Sequence, residues 1–259
     1  MTISIVTICF NNLQELLVTM ESIDKQTIPP YEHWIIDGST NSEINNYLQL
    51  NRQPGYRKWV SEIDYGIADA FNRGGERATG TIINMLNSAD YYFDDKVLET
   101  VIQTFNDHPA ITWLHGRYML QRGGIWVTIG KSFDPSKLYR GMRSLSHQSM
   151  FVKKTLHDKY GWYNTGLRNA MDYDFVCRIY NEPFVFLHDP LVVFAPGGTT
   201  DQHYLSALKE GRQVYLRQHG FSLKLVIWQW RLKLLHAVLN SPAGKLLYRV
   251  KVWLKLENM

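Results

Sequence analysis

The sequence predicts an α/β fold with a mainly parallel, doubly wound sheet, and three features carry that prediction. First, a β-branched apolar run at residues 3–10 is followed by Leu13, Leu16, Leu17, Met20 and Ile23 at helical spacing, then by a short strand at 34–36. That β-α-β order opens a parallel sheet. Second, the run Ile82, Ile83, Met85 and Leu86 reads as a strand covered on both faces. Third, the strands end in Asn, Asp and Ser, at the sheet edge where open α/β folds bind ligands.

The remaining elements follow in order. The first helix runs to about residue 25, and Pro29 and Pro30 stop it. Residues 59–63 read as a third strand. It leads into 64–75, whose first half reads as helical and whose Gly74 and Gly75 mark a close approach or a turn. Asp94 or Asp95 caps a helix carrying Val97, Leu98, Val101, Ile102 and Phe105. Residues 110–114 and 125–129 read as strands, with a turn at 122–124. Polar residues 146–149 precede an apolar strand, 171–180 are helical, and 184–187 and 191–194 are late strands closed by Pro196, Gly197 and Gly198. From Gln202 the pattern is helical. Residues 222–239 are rich in Leu, Val, Ile and Trp, but Lys224, Arg231 and Lys233 interrupt them, so this is not a clean membrane span. A last basic helix is expected after Pro242. The domain reading is 1–200 for the α/β unit and 201–259 for a helical tail.

A chain of 259 residues can bury a sizeable core and suits one α/β domain with an appendage. Cys9 and Cys177 lie far apart in apolar surroundings, without CxxC spacing, and read as reduced core residues in a reducing compartment. No charged n-region or cleavage site flanks the first strand, so no signal peptide is expected. The net charge of +4 hides an asymmetry. Residues 1–210 carry 19 Lys and Arg against 23 Asp and Glu, whereas 211–259 carry 9 against 1. A mildly acidic body with a basic tail points the tail at something anionic.

Four strand-end clusters converge on one crevice in such a fold. They are Asn11 with Asn12, Asp37 with Gly38, Ser39 and Thr40, the stretch holding Asp64, Gly66, Asp69 and Asn72, and Asn87 with Asp90. A lone carboxylate such as Asp90 can hold a divalent cation that keeps several waters and bridges to phosphates. It serves equally well as the capping Asp of a turn, and the segment alone does not decide. On either reading it is expected to be exposed at the strand end, adding little to the core.

The runs SIVTICFNN, WIIDGSTN and SEIDYGIADAFNRGGERATGTIINMLNSAD, in that order, resemble family 2 glycosyltransferases with the GT-A fold. SHQSMFV, MDYDFVCRIY and FAPGGTT resemble later motifs of the bacterial exopolysaccharide, colanic acid and O-antigen subgroup. The resemblance covers roughly the first 200 residues. It implies an inverting transfer of sugar from a nucleotide-diphospho-sugar, a UDP-sugar first, to a saccharide or lipid-linked oligosaccharide acceptor, with Mg²⁺ or Mn²⁺.

The resemblance also implies roles for residues. Asp37 matches the carboxylate that accepts a hydrogen bond from the base, and Asp64 the next nucleotide-side Asp. Asp69 is either a site carboxylate or a helix-face one, and Asn72 either a ligand contact or the turn of a helix end. Asp90 matches the metal-binding Asp of a DxD-like motif, with Asn87 where many members carry Asp. Asp172 matches the catalytic base, ahead of Asp174. Two positions apart on a helix, these carboxylates point to different sides, so one faces the crevice while the other caps or pairs with Arg178. His147 and Gln148 are candidates for contact with donor phosphate or acceptor sugar, and His188 and His203 are weaker ones.

Rival readings have less support. A dinucleotide-binding oxidoreductase needs a Gly-rich first turn, and residues 10–13 contain no glycine. A nucleotidyltransferase brings a Gly-rich basic loop at the same place, also missing. The nucleotidyltransferase on a related sheet and a degenerate binding module, with Asn87 as support for the latter, are the remaining alternatives. In the tail, basic residues interleave with Trp228, Trp230, Tyr248 and Trp253. The pattern suits a helix lying on an anionic membrane surface at the cytoplasmic face, and an oligomer contact is the other use of so much apolar surface. A nucleic-acid partner is not expected.

Overall fold

Strand and helix alternate through the first half of the chain, and each strand returns parallel to the last. The computed structural model describes residues 1–122, 124–143, 145–195, 204–241 and 244. The first half comprises β1 (Ile3–Cys9), α1 (Leu13–Asp24), β2 (Glu32–Asp37), α2 (Glu43–Leu50), β3 (Arg57–Ser61), α3 (Ile67–Arg77) and β4 (Ile82–Asn87). Then come β5 (Tyr91–Tyr92), α4 (Val97–Asp107), β6 (Trp113–Arg122), β7 (Ile125–Ile129), β8 (Met150–Lys153), α5 (Lys154–Tyr160), α6 (Met171–Ile179) and β9 (Phe184–Phe194). Two tail helices close the described chain, α7 (Tyr204–His219) and α8 (Leu223–Asn240).

Among the described residues these strands form one sheet in the order β3-β2-β1-β4-β8-β6-β9-β5, with β7 hairpinned on β6. The pairs β3-β2, β2-β1 and β1-β4 are all parallel. Beyond β4 the sheet is mixed: β8 runs antiparallel to β4 and β6, while β9 lies parallel to β6. The chain moves outward from β1 to β2 and β3, then returns to place β4 on β1's other side. That reversal is a topological switch point, and it opens a crevice at the carboxyl ends of β1 and β4. Because β8 is antiparallel, its leading residues, Ser146 to Ser149, reach the same edge. The carboxyl end of β9 arrives there too.

The helices cover both faces. Leu16, Met20 and Ile23 bury one side of α1. In α3, Gly74 lets the helix backbone lie on β1: a Cβ there would stand 2.2 Å from Val6 Cγ1. Gly75 does the same against the Trp162 ring. The largest core cluster joins Val6, Phe71, Trp113, Phe175 and Val214. Val214 belongs to α7, so the core continues past residue 200, the boundary drawn from sequence.

Several elements differ from the sequence reading. The third strand is Arg57–Ser61 rather than 59–63, because it pairs in register with β2 from His33 onward. The glycines at 74 and 75 lie inside a helix, at a close approach rather than a turn. The strand expected at 110–114 starts at Trp113 and runs ten residues. The two late strands are one, β9, with register shifts against β6 between Gly116 and Tyr118. Pro190, the partner of Arg117, sits in that irregular stretch, the kind of place where a strand tolerates proline. At α4 the N-cap is Lys96; Asp94 accepts from its N–H, and Gln26 Oε1 accepts from Leu98 N. α2 and α5 had no counterpart in the sequence reading. Pro196 to Gly198, His203 and the last basic helix lie outside the described residues.

Candidate active site

The crevice begins with two tight strand ends. After β1, Asn11 adopts a positive φ of 52°, a region Asn tolerates better than most residues. Its side chain clasps Thr40: Asn11 Oδ1 accepts from Thr40 N at 3.1 Å, and Asn11 Nδ2 donates to Thr40 Oγ1 at 3.0 Å. Asn11 N donates to Ser39 Oγ at 2.8 Å. The ends of β1 and β2 are thereby tied together. Asn12 Nδ2 donates to Ser88 Oγ at 2.7 Å, which ties β1 to the end of β4.

Asp37 is fully buried at the end of β2, where Oδ1 accepts from Ser39 N at 3.0 Å and Oδ2 from the Ser61 hydroxyl at 2.8 Å. Asp64 lies over Gly38 so closely that a Cβ on Gly38 would meet Asp64 Oδ2 at 1.9 Å. Asp64 Oδ1 accepts from Gly66 N at 2.8 Å. Gly66, at a φ of 114°, needs the conformational freedom of glycine. Burial pushes the Cys9 thiol up, and the neighbouring Asp37 and Asp64 carboxylates add to it. Two carboxylates, Asp37 and Asp64, thus stand together at this corner, each accepting from a backbone N–H.

Asp69 and Asn72 are committed elsewhere. Asp69 Oδ2 pairs with Arg73 at 2.9 Å and accepts from Tyr65 N at 3.0 Å, which fixes the first turn of α3. Asn72 binds the backbone of Tyr163 twice, donating to its carbonyl at 2.8 Å and accepting from its N–H at 2.9 Å.

At the end of β4 a connected row of polar groups crosses the crevice. Asp90 is 6% exposed, so it is not the exposed strand-end carboxylate the sequence suggested. The cause is long-range: Asp90 Oδ2 accepts from Gln148 Nε2 at 2.9 Å and Asn87 Nδ2 at 3.3 Å, while Oδ1 accepts from Ala195 N at 3.0 Å. Burial pushes the Asp90 carboxyl up, against the pull of these donors and of His147. Among the described residues no Lys or Arg pairs with it. Ala89 sits at a φ of 77°, unusual for a residue with a Cβ, so the turn presenting Asp90 holds backbone strain. Asn87 Nδ2 lies 3.5 Å from His147 Nε2, and His147 Nδ1 lies 3.4 Å from Asp172 Oδ2.

The two carboxylates of α6 separate by role. Asp174 is buried, pairs with Arg178 at 3.2 Å and accepts from Gln218 at 2.8 Å. Asp172 keeps 22% of its side chain exposed on the crevice side, with Oδ1 accepting from Tyr173 N at 2.7 Å. Glu210 of α7 fixes the start of α6, accepting from Asn169 N at 2.7 Å and Ala170 N at 3.1 Å. A carboxylate in that place suits the positive end of a helix. Beneath Asp172 and His147 lies a void of about 10 Å³ with an apolar floor of Ile83, Met85, Met150, Val152 and Phe175. Sequence reasoning missed Ser61, Ala195 and Glu210; each acts through a contact between residues far apart in sequence.

Among the described residues no group of three or more His, Cys, Asp and Glu can hold a metal. His188 stands apart from Asp90, in an open groove with Arg117, Lys131 and Phe186. No described helix is long and apolar enough to cross a membrane.

This site sits on a fold found in sugar-transferring enzymes. The chain superposes on Staphylococcus aureus TarS 1–349 in complex with UDP-GlcNAc with a TM-score of 0.63 at 15% identity, over 85% of this chain and 68% of that one. It superposes on the mannosyltransferase PcManGT of Pyrobaculum calidifontis, in complex with GDP-Man and Mn²⁺, with a TM-score of 0.60 at 14% identity, over 99% and 81%. Residues 4–173 match the glycosyl transferase family 2 model. An uncharacterized glycosyltransferase of Mycobacterium tuberculosis is 31% identical over 179 residues, 68% of each chain. A PGL/p-HBAD biosynthesis glycosyltransferase of Mycobacterium bovis is 29% identical over 185 residues, 70% of each. The chain belongs to glycosyl transferase family 2, and its α/β fold is GT-A-like.

Proposed function

We propose that this glycosyltransferase moves a sugar, with inversion, from a nucleotide-diphospho-sugar to a saccharide acceptor, with Asp172 as the base. The observation that carries the reading is the continuous row Asp90–Asn87–His147–Asp172, which spans the crevice from one half of the sheet to the other. Inversion needs a carboxylate that takes the acceptor hydroxyl's proton as that oxygen attacks. Asp172 has the crevice exposure for it, whereas Asp174 is locked to Arg178. His147, 3.4 Å from Asp172, orients that carboxylate.

The Asp37 and Asp64 corner suits the N–H edge of a base, and a UDP-sugar is the donor we favour, in line with the UDP-GlcNAc complex of TarS. The residues at the β4 end fit a divalent cation in one respect. Asp90 is a desolvated carboxylate with no basic side chain paired to it among the described residues, so a cation would supply the missing charge. Mg²⁺ or Mn²⁺ would be held by Asp90 and the donor phosphates, and would stabilise the departing diphosphate.

The acceptor we favour is lipid-linked, in bacterial surface polysaccharide synthesis, with the enzyme peripheral on the cytoplasmic membrane face. Support comes from α8. Leu223, Ile227, Trp230, Leu234 and Val238 recur at three- and four-residue spacing and are all exposed, while Leu225, Gln229 and Leu232 bury the opposite face. Lys224, Arg231 and Lys233 flank the exposed stripe, the arrangement of a helix lying in a membrane interface. The test is a product assay with candidate donors and Mg²⁺ or Mn²⁺, using wild type and Asp172→Asn. Transfer lost in the variant, with donor binding retained, supports the reading. Binding with no transfer to any acceptor by wild type would instead favour a degenerate binding module.

A further inference from the structure

We propose that Arg140, Arg143 and Arg231, gathered round Trp228, bind the phosphate of an anionic amphiphile. The inference rests on the peripheral-membrane reading above and names what the surface recognises. The guanidinium carbons of Arg140 and Arg143 each lie 5.1 Å from the Trp228 ring centroid, and that of Arg231 lies 5.3 Å from it. Three cations that share one ring cannot stand more than about 10 Å apart, close to a Debye length at ordinary ionic strength. One guanidinium is enough to cap an indole face. Three place like charges together, and among the described residues no carboxylate pairs with any of them. Asp134, in the same segment as Arg140, is tied to Lys137 at 2.6 Å and Ser136.

The donor set is matched to phosphate. Arginine stays charged at every relevant pH, and its planar fork binds phosphate oxygens in pairs. The enclosed indole N–H of Trp228 has no acceptor among the described residues, so one more donor awaits an oxygen. The adjacent surface supplies the amphiphile's other half. Ile227 and Trp230 neighbour Trp228 on α8, and with Leu234 they expose an apolar stripe. The cluster also adjoins the crevice wall: Tyr173, next to Asp172, donates its hydroxyl to Leu138 O at 2.7 Å, two residues before Arg140. Arg143 precedes His147 by four residues.

The test uses the full chain and the double variant Arg143→Gln/Arg231→Gln, both of whose positions are exposed, with a thermal melt to verify the fold. Partition is measured on vesicles of phosphatidylcholine with and without phosphatidylglycerol. In parallel, the Trp228 indole N–H resonance, assigned by its loss in Trp228→Phe, is followed while monomeric dihexanoyl phosphatidic acid or inorganic phosphate is added. The expected result is a roughly 30-fold loss of partition to the anionic vesicles in the variant. Neutral vesicles should be unaffected, and phosphatidic acid should shift the indole only in wild type. Equal partition of both proteins, with a silent indole, overturns this site and leaves the peripheral reading standing. An indole response without vesicle binding supports the phosphate site and overturns the membrane reading. An equal response to inorganic phosphate overturns the choice of an amphiphile.

Discussion

In the proposed mechanism the pair Asp172 and Asp174 separates chemistry from architecture within three residues, and substituting each in turn makes that measurable. Asp174 is buried against Arg178, whose guanidinium also donates to the carbonyls of Tyr160, Gly161 and Trp162. Gln218 of α7 donates to the same carboxylate. Asp174→Ala leaves Arg178 and Gln218 without this acceptor. Breaking a buried pair costs about 3–5 kcal/mol. The lower end applies here, about 3 kcal/mol, because the carbonyls still hold Arg178. For a chain of this size that is a fall in Tm of roughly 6–12 °C.

Asp172→Asn should behave in the opposite way. Asn retains an oxygen to accept from Tyr173 N, and the side chain is partly exposed, so stability should hold within about 0.5 kcal/mol. Turnover should fall by roughly 10²–10⁴, the worth of a positioned general base. Thermal melts and donor-dependent product formation read the two effects separately. An Asp174→Ala protein that melts normally but fails to turn over, beside an Asp172→Asn protein that works, would refute the assignment.

Three further outcomes are expected. Asp90→Asn should remove metal-dependent donor binding while Asn87→Asp keeps or strengthens metal affinity, as read by calorimetric titration; an unchanged metal response in Asp90→Asn would move the ligand elsewhere. Burial holds His115 and His157 down at about 3, and burial with Arg57 nearby holds His33 well below the ordinary value. Because the unfolded chain takes up these protons and the native state does not, stability falls as pH drops below about 6.5, by about 1 kcal/mol per histidine in the first unit. Urea melts should show this, and His157→Phe, stacked between Trp162 and Phe175, should lose its share of the slope. Gly74→Ala should cost about 1–3 kcal/mol by forcing α3 off Val6, measured by chemical denaturation.

Much of the parallel half was legible because its signals are local. The β1 run, the α1 periodicity and the polar ends at Asn11, Asp37 and Asn87 each sit within a few residues of the element they define. The choice of Arg178 as partner for Asp174 was legible for the same reason, since four positions apart on a helix means contact. What escaped depends on distant pairing. The burial of Asp90 comes from Gln148 and Ala195, on segments 58 and 105 positions away, and nothing near NSAD announces them. Asn72 read as a helix end or a ligand contact, yet it fastens the Tyr163 backbone 91 positions away. The break between the two late strand runs hid one continuous β9, because the pairing that unifies it lies on β6.

The same long-range contacts bear on whether Asn87 marks a degenerate site. Asn87 donates to Asp90 and stands within reach of His147, so it is a link in the row rather than a vacancy in a motif. A second carboxylate at that position would put a like charge beside an already desolvated one, with no basic side chain paired to Asp90 among the described residues. Such a pair is tolerable only while a cation is bound. An amide at position 87 instead satisfies Asp90 whether or not a cation is present, and leaves one buried charge to attract it. Under the proposed metal-assisted transfer, the asparagine would keep the crevice folded between turnovers and make cation binding depend on the donor's own phosphates. Loss of a carboxylate from the motif is thus compatible with a working transferase, provided donor and metal arrive together.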